Sequence, residues 1–302
     1  MTAQRSSWLP RYIALGIVWG CSFIFIKLGL EFLTPIGVAF GRCSLGALAL
    51  LVISRIRKVS LPKDRKLWFH LWVVCLLLNV IPGILFALAE TEVTSILAGI
   101  INAVTPLMTL LAIMIAFRSE KPKRSQVIGL LCGFTGVLVV LGAWRGLGVN
   151  PLGSVLALLL AVACYGISFP YMRTFVIPHQ LRPEALATTQ VSLAALTLLP
   201  LYLFDGIAKD VYRPGPVLAM LALGIFGSGI AYIWNFTIVT AAGSAIASSV
   251  TYVTPLVAVL VGVIFLNEPV SWNEPVGGLI VLLGAAIGQE RIRFNRSGSH
   301  RG

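Results

Sequence analysis

One feature constrains this chain more than any other: long apolar runs follow one another along it, at 12–30, 35–54, 67–89, 91–117, 126–143, 152–175, 184–204, 215–238, 240–266 and 274–289. A helix needs about 20 apolar residues to cross the hydrocarbon of a bilayer, and most of these runs reach that length. None alternates apolar and polar residues as a strand of a membrane barrel would. Inside lipid, backbone polar groups must be satisfied within the segment itself, so each run is predicted to be a helix. The polar stretches between runs are at most about a dozen residues, the size of loops. Composition agrees, with 11% charged residues where a soluble domain carries about 25%. The expected fold class is all-α integral membrane, with ten transmembrane helices.

The first residues, "MTAQRSSWLPRYIALGIVWG", have a basic start and then an apolar run. The run lacks an A-x-A-like cleavage site and outlasts a signal peptide, so it reads as a retained first span. Lys and Arg then set the orientation. With the first residues in the cytoplasm, 18 of the 23 Lys and Arg fall on the inner side; Arg145, Lys209 and Arg213 fall outside, and Lys27 and Arg42 lie within runs. The prediction is a multi-pass protein of the cell membrane (a bacterial inner membrane) with both termini cytoplasmic. Topology accounts for the net charge of +12, so the bilayer is the expected partner and nucleic acid is not. The five cysteines all lie in apolar runs without metal-ligand spacing and read as packing residues.

The chain also repeats itself. "TSILAGIINAVTPLMTLL", starting at Thr94, aligns without a gap on "GSAIASSVTYVTPLVAVL", starting at Gly243. An acidic residue follows each (Glu120, Glu268), then a Gly-rich run in which Gly129 and Gly136 match Gly277 and Gly284. Upstream, "WGCSFIFIK" at 19–27 matches "YGISFPYMR" at 165–173, and Pro35 matches Pro183. The chain therefore divides into 1–147 and 148–302, the second part ending in a basic tail. Five spans per copy is an odd number, so the second copy enters the membrane upside down. Inverted repeats recur in secondary transporters.

Trp19, Gly20, Phe23, Lys27, Arg42, the "VTPL" of the fourth run, Glu120, Gly129 and their second-half counterparts together resemble the EamA type of the drug/metabolite transporter superfamily. The resemblance covers nearly the whole chain. It implies ten helices, with the first to fourth and sixth to ninth around a central cavity and the fifth and tenth outside them. It also implies export or exchange of small metabolites, often amino acids. The copies differ at one telling place, since Gln190 stands where the first half has Arg42.

Pro106 and Pro255 lack a backbone donor and crowd the carbonyls of Asn102 and Thr251. Carbonyls freed at membrane depth persist only beside protein or water, and broken helices in matching places of two repeats point to a transport site. The fourth and ninth runs are thus expected to kink at Pro106 and Pro255 around a wet cavity, with Asn102, Thr105 and Thr251 offering hydrogen bonds. Arg42 is the deepest charge, about 10 Å into its run at 1.5 Å per residue, flanked by the small Gly41, Cys43 and Ser44. It must face the interior or water, or pair with Glu90 or Glu92. Lys27 lies nearer the outer edge, with Glu31 one turn on to pair with it. The remaining substrate-binding candidates are Trp19, Phe23, Asn79, Tyr165, Ser168, Phe169, Gln190, Trp234, Asn235 and Tyr252, and Ser22, Ser228 and Tyr232 are further polar and aromatic residues within the runs. Glycine spacings such as Gly129–Gly133 and Gly284–Gly288 allow close helix approach, and leave a homodimer open.

No run holds a central Asp or Glu, which argues against a carboxylate that binds an organic cation and a proton in turn. No phosphate loop, zinc pair or nucleophile–base spacing appears, so no catalytic residue, metal or cofactor is expected and the chain does not read as an enzyme. The expected function is a secondary transporter that exports or exchanges a small zwitterionic or anionic metabolite, an amino acid first among them, by alternating access. A passive facilitator or channel, or a flippase of a lipid-linked substrate, is the alternative.

Overall fold

The computed structural model describes residues 2–117, 124–142, 151–205 and 213–288. Glu120, the basic residues at 118, 121 and 123, Arg145, Lys209 and the tail from 289 lie outside them. All regular elements among the described residues are helical: α1 (Thr2–Gly29), α2 (Pro35–Ile56), α3 (Arg65–Ala89), α4 (Ser95–Ile115), α5 (Arg124–Val140), α6 (Leu152–His179), α7 (Pro183–Asp205), α8 (Pro214–Ala242), α9 (Ser244–Leu266) and α10 (Asn273–Gly288). Each predicted run became a helix. Eight of the helices are long and apolar enough to cross a membrane. The other two, α5 and α10, have 17 and 16 residues, about 25 Å of helix against a hydrocarbon core of about 30 Å. Ten full-length spans are therefore more than these helices support.

The sequence explains several helix starts. Thr34 and Thr94 accept a backbone N–H from the first turn of α2 and α4, at 3.0 and 3.1 Å, and Asp64 does so for α3 at 2.9 Å, as N-cap residues do. Pro35 and Pro183 stand first in α2 and α7, where a missing N–H is harmless. Proline also explains two interruptions. In α4 the helix stops after Asn102 and resumes at Thr105, with Pro106 in its new first turn. In α9 a tight 3₁₀ turn, Ser249–Tyr252, separates Ser244–Ser248 from the helix that restarts at Thr254, before Pro255. Three helices also carry stretches wound as π-helix: Leu76–Val80 in α3, Met172–Val176 in α6 and Leu223–Ile230 in α8.

The halves run in opposite senses. Gly29, at the end of α1, meets Met220 near the start of α8, and Tyr12, in the first half of α1, bonds Ser249 of α9, the helix that follows the end of α8. Thus α8 runs against α1, whereas its counterpart α3 ends beside Lys27 and runs with it. The bundle has a Lys27 end, which charge placement predicts to be the outer one, and an Arg173 end. A large apolar cluster lies toward each. Phe23, Ile26, Phe32, Phe86, Val93 and Ile96 belong to one; Leu15, Leu67, Leu71, Met172 and Val239 belong to the other.

Helices α5 and α10 pack on each other through glycine. A Cβ on Gly136 would lie 2.6 Å from the backbone nitrogen of Val281, and one on Gly284 would lie 2.4 Å from that of Gly133. The glycine spacing noted in the sequence thus serves contact within one chain.

Candidate functional site

Between the two apolar clusters lies a narrow cavity, with about 40 Å³ open to the centres of water molecules. That is room for about three waters at 10–15 Å³ each. Trp19, Ser22, Phe23 and Ile26 of α1 line it, with Arg42 of α2, Leu78 and Phe86 of α3, Asn102 of α4, Tyr165 and Phe169 of α6, Tyr232 of α8 and Thr251 of α9. Its walls are aromatic. Phe86 lies 5.6 Å from Phe23 and stacks on Tyr165 at 5.7 Å, and Trp19 meets Tyr232 edge-on at 6.1 Å.

Arg42 supplies the charge. It is 7% exposed, and its Nε donates to Ser228 Oγ at 2.8 Å. Gly46, one turn along α2, makes this reach short: a Cβ there would sit 2.8 Å from the carbonyl of Ser228. Only glycine lets α2 lie directly on the π-wound stretch of α8. The partners weighed for Arg42 do not take it. Among the described residues its guanidinium forms no ion pair, Glu92 receives Ser154 Oγ instead, and Glu90 is buried without a hydrogen bond to its carboxyl.

The repeat supplies a mirror image of this contact. Gln190 occupies the place of Arg42 in the second half and Asn79 that of Ser228, and Gln190 Nε2 donates to Asn79 Oδ1 at 2.6 Å. One arm of the pseudo-symmetric pair is cationic and reaches the cavity. The other is a neutral amide pair between α7 and α3, and neither residue lines the cavity. The π-wound stretches matter here because i→i+5 winding changes the carbonyl pattern of a helix, often at functional sites. Trp19 Nε1 donates to Gly227 O at 3.2 Å, and Tyr232 donates its hydroxyl to Leu78 O at 3.1 Å. Cavity aromatics are thereby fixed on carbonyls of both stretches.

The two helix breaks meet at the cavity. Asn102 Nδ2 donates to Thr254 Oγ1 at 3.2 Å; Thr254 donates in turn to Thr251 O at 2.8 Å, and Thr105 to Asn102 Oδ1 at 3.3 Å. The carbonyl that Pro255 crowds is thus taken by a threonine, and Asn102 ties one broken helix to the other.

Several candidates sit elsewhere. Lys27 donates to the carbonyls of Glu90 at 2.6 Å and Val93 at 2.8 Å, closing the turn between α3 and α4, and does not pair with Glu31. Its counterpart Arg173 donates to the carbonyl of Val239, the residue matching Glu90, and to that of Thr240, both in the last turn of α8 at the opposite end. Cations suit helix C-termini, where carbonyls lack partners. Thr105 is fully buried beside the cavity, and Ser168 donates to its own helix at Tyr165 O, 2.7 Å. Trp234 lines a separate groove at the Arg173 end with Arg11, Arg57 and Glu184. Asn235 is buried with neither amide atom hydrogen-bonded, and Tyr252 packs on the apolar cluster of the Lys27 end. Ser22 and Tyr232, polar and aromatic candidates from the sequence, line the cavity, whereas sequence reasoning missed the apolar Ile26, Leu78 and Phe86. For Ile26 a signal existed: Trp19, Ser22, Phe23 and Ile26 are spaced i, i+3, i+4, i+7, one face of a helix.

The arrangement is two inverted halves around a mid-depth cavity with broken helices at its wall. Residues 7–142 and again 152–287 match the EamA-like transporter family. The chain belongs to that family. This transporter is 28% identical to the uncharacterized inner membrane transporter YedA of Escherichia coli K12, over 86% of this chain and 83% of that one. It is 24% identical to the uncharacterized transporter YvbV of Bacillus subtilis, over 90% and 88%, and 26% identical to protein PagO of Salmonella typhimurium, over 82% and 81%. A solved crystal structure shares its fold with a TM-score of 0.69 and 22% identity, over 97% of this chain and 99% of the other. Membership makes it a multi-pass membrane transporter.

Proposed function

We propose that this transporter exports or exchanges a small zwitterionic or anionic metabolite, an amino acid first among them, by alternating access between its inverted halves. The observation that carries the reading is Arg42. It is a buried cation on the cavity wall, held through one nitrogen by Ser228 and free of any carboxylate among the described residues. A guanidinium grips a carboxylate through two parallel hydrogen bonds, and a substrate carboxylate is the counterion that the site lacks. The aromatic walls suit an apolar side chain. Room for about three waters is too little for a metabolite, so loading requires one end of the bundle to open. Apolar clusters at both ends and matched breaks in α4 and α9 support such opening. Charge placement supports a cell membrane with both termini in the cytoplasm.

The test is counterflow. Proteoliposomes loaded with unlabelled members of an amino-acid and organic-acid panel are given traces of labelled ones outside. Transient accumulation driven by the unlabelled partner, saturating with concentration, is expected for at least one zwitterionic or anionic compound. Flux without counterflow would replace the carrier with a facilitator or channel, and counterflow only for cationic compounds would remove Arg42 from the reading.

A further inference from the structure

Glu90 immediately follows α3. Its side chain is fully buried, and neither carboxyl oxygen has a hydrogen-bond partner. Lys27, the nearest clamp, holds the backbone carbonyl of Glu90 and not its carboxyl. The second half shows that the clamp does not need this acid. Val239 stands at the mirrored position, and Arg173 clamps its carbonyl in the same way. A buried carboxyl without donors, absent from the twin of its own setting, calls for a reason other than the turn it sits in.

An ionised carboxylate in dry surroundings without donors is strongly disfavoured. Burial is the largest influence and pushes Glu90 well above the usual carboxylate range; Lys27 and Arg42 favour ionisation, and Glu268 opposes it. None of the charged groups around it is free to serve it as they stand. Lys27 of α1 is on two carbonyls, and Arg42 of α2 is on Ser228. Glu268, beyond α9, takes hydrogen bonds from Ser95 and Ile96 at the start of α4. Glu92 takes Ser154 of α6, and Glu31, after α1, is exposed.

We propose that Glu90 is a proton-binding site that gates the Lys27 end. Protonated, it leaves Lys27 on the carbonyls of Glu90 and Val93, which ties α1 to the α3–α4 turn and keeps that end shut. When it ionises, its proton leaves to water, and the carboxylate draws the flexible Lys27 ammonium from the carbonyls. Lys27 then stays with Glu90 at the end of α3 but lets go of Val93, next to the start of α4, so the link from α1 to α4 is lost and the Lys27 end opens. The Arg173 end, with Val239 in this place, has no such control, so proton binding acts on one gate alone. The significance of the gate rests on the carrier reading above; the proton site itself does not.

Two measurements on purified protein in liposomes test this without a substrate. Infrared spectra across a pH series should contain a carboxylic-acid C=O band that fades as pH rises and is lost at every pH in Glu90→Gln. Glu90→Val, copying the mirrored residue, is the second variant should the glutamine fold poorly. In a background without native cysteines, Ser22→Cys reports entry of a maleimide into the cavity. Its labelling rate, divided by the rate of the same protein carrying Glu90→Gln, should be near one at acid pH and rise as pH rises, because glutamine imitates the neutral acid and holds the end shut. A carboxylic-acid band unaffected by either substitution overturns the proton site. A band that is lost while the labelling ratio stays flat overturns the gate. A chain that fails to transport any of the panel leaves both results standing, so the two readings fail separately.

Discussion

Replacing Arg42 by glutamine separates a binding cation from a structural one. The fold should tolerate the change, because Gln190 is fully buried at the mirrored position in the second half. What the structure loses is the bond from Nε to Ser228, and a hydrogen bond involving a charged group contributes about 1.5–3 kcal/mol. Removing a guanidinium from a buried place offsets part of that, so thermal unfolding in detergent should shift only slightly. Substrate binding has no such offset. A carboxylate that lost its charged partner should bind more weakly by about 1.5–3 kcal/mol, roughly a 10- to 150-fold rise in apparent Kd. Arg42→Lys should recover part of this, since an ammonium lacks the planar fork. The assay is half-saturation of counterflow, with unfolding temperature measured on the same samples. Native half-saturation in Arg42→Gln, or a collapse of folded protein with normal binding in the survivors, would refute the reasoning and make Arg42 a packing cation.

Pro106→Ala with Pro255→Ala should insert normally, since alanine suits a helix, but slow transport as α4 and α9 straighten; equal rates at equal expression would sink the role of the breaks. Glu268→Gln keeps the shape of the group that takes Ser95 and Ile96 but removes its charge from a helix N-terminus, and should lower stability by about 0.3–2 kcal/mol in detergent unfolding. Gly284→Leu meets the backbone of Gly133 and Gly129 and should cost about 1–3 kcal/mol or more through overpacking. An unchanged unfolding temperature would mean that α5 and α10 do not pack as described.

Much of this protein is legible in its sequence because the governing rules are local or repeated. Lipid requires each long apolar run to be a helix. Proline weakens a helix where it stands, and α4 and α9 break just before Pro106 and Pro255, although α1, α6 and α7 run on through Pro10, Pro170 and Pro200. The repeat was visible as aligned residues, and it reappears as mirrored contacts: Arg42 on Ser228 with Gln190 on Asn79, and Lys27 on Glu90 with Arg173 on Val239. Trp19, Phe23, Arg42, Asn102, Tyr165, Phe169 and Thr251 were named from sequence and line the cavity.

The facing of the other polar groups was decided only by tertiary structure. At about 3.6 residues per turn, one residue of displacement turns a side chain well away from the cavity, and the π-wound stretches of α3 and α8 shift that register in ways no apolar pattern records. Asn79 and Gln190 therefore face each other, while Leu78 and Tyr232 face the cavity. Lys27 illustrates the same division. The sequence sets a cation near one end of a span, but the carbonyls that take it belong to a turn 63 and 66 residues further on, and only the packing of α1 on α3 and α4 brings them within reach.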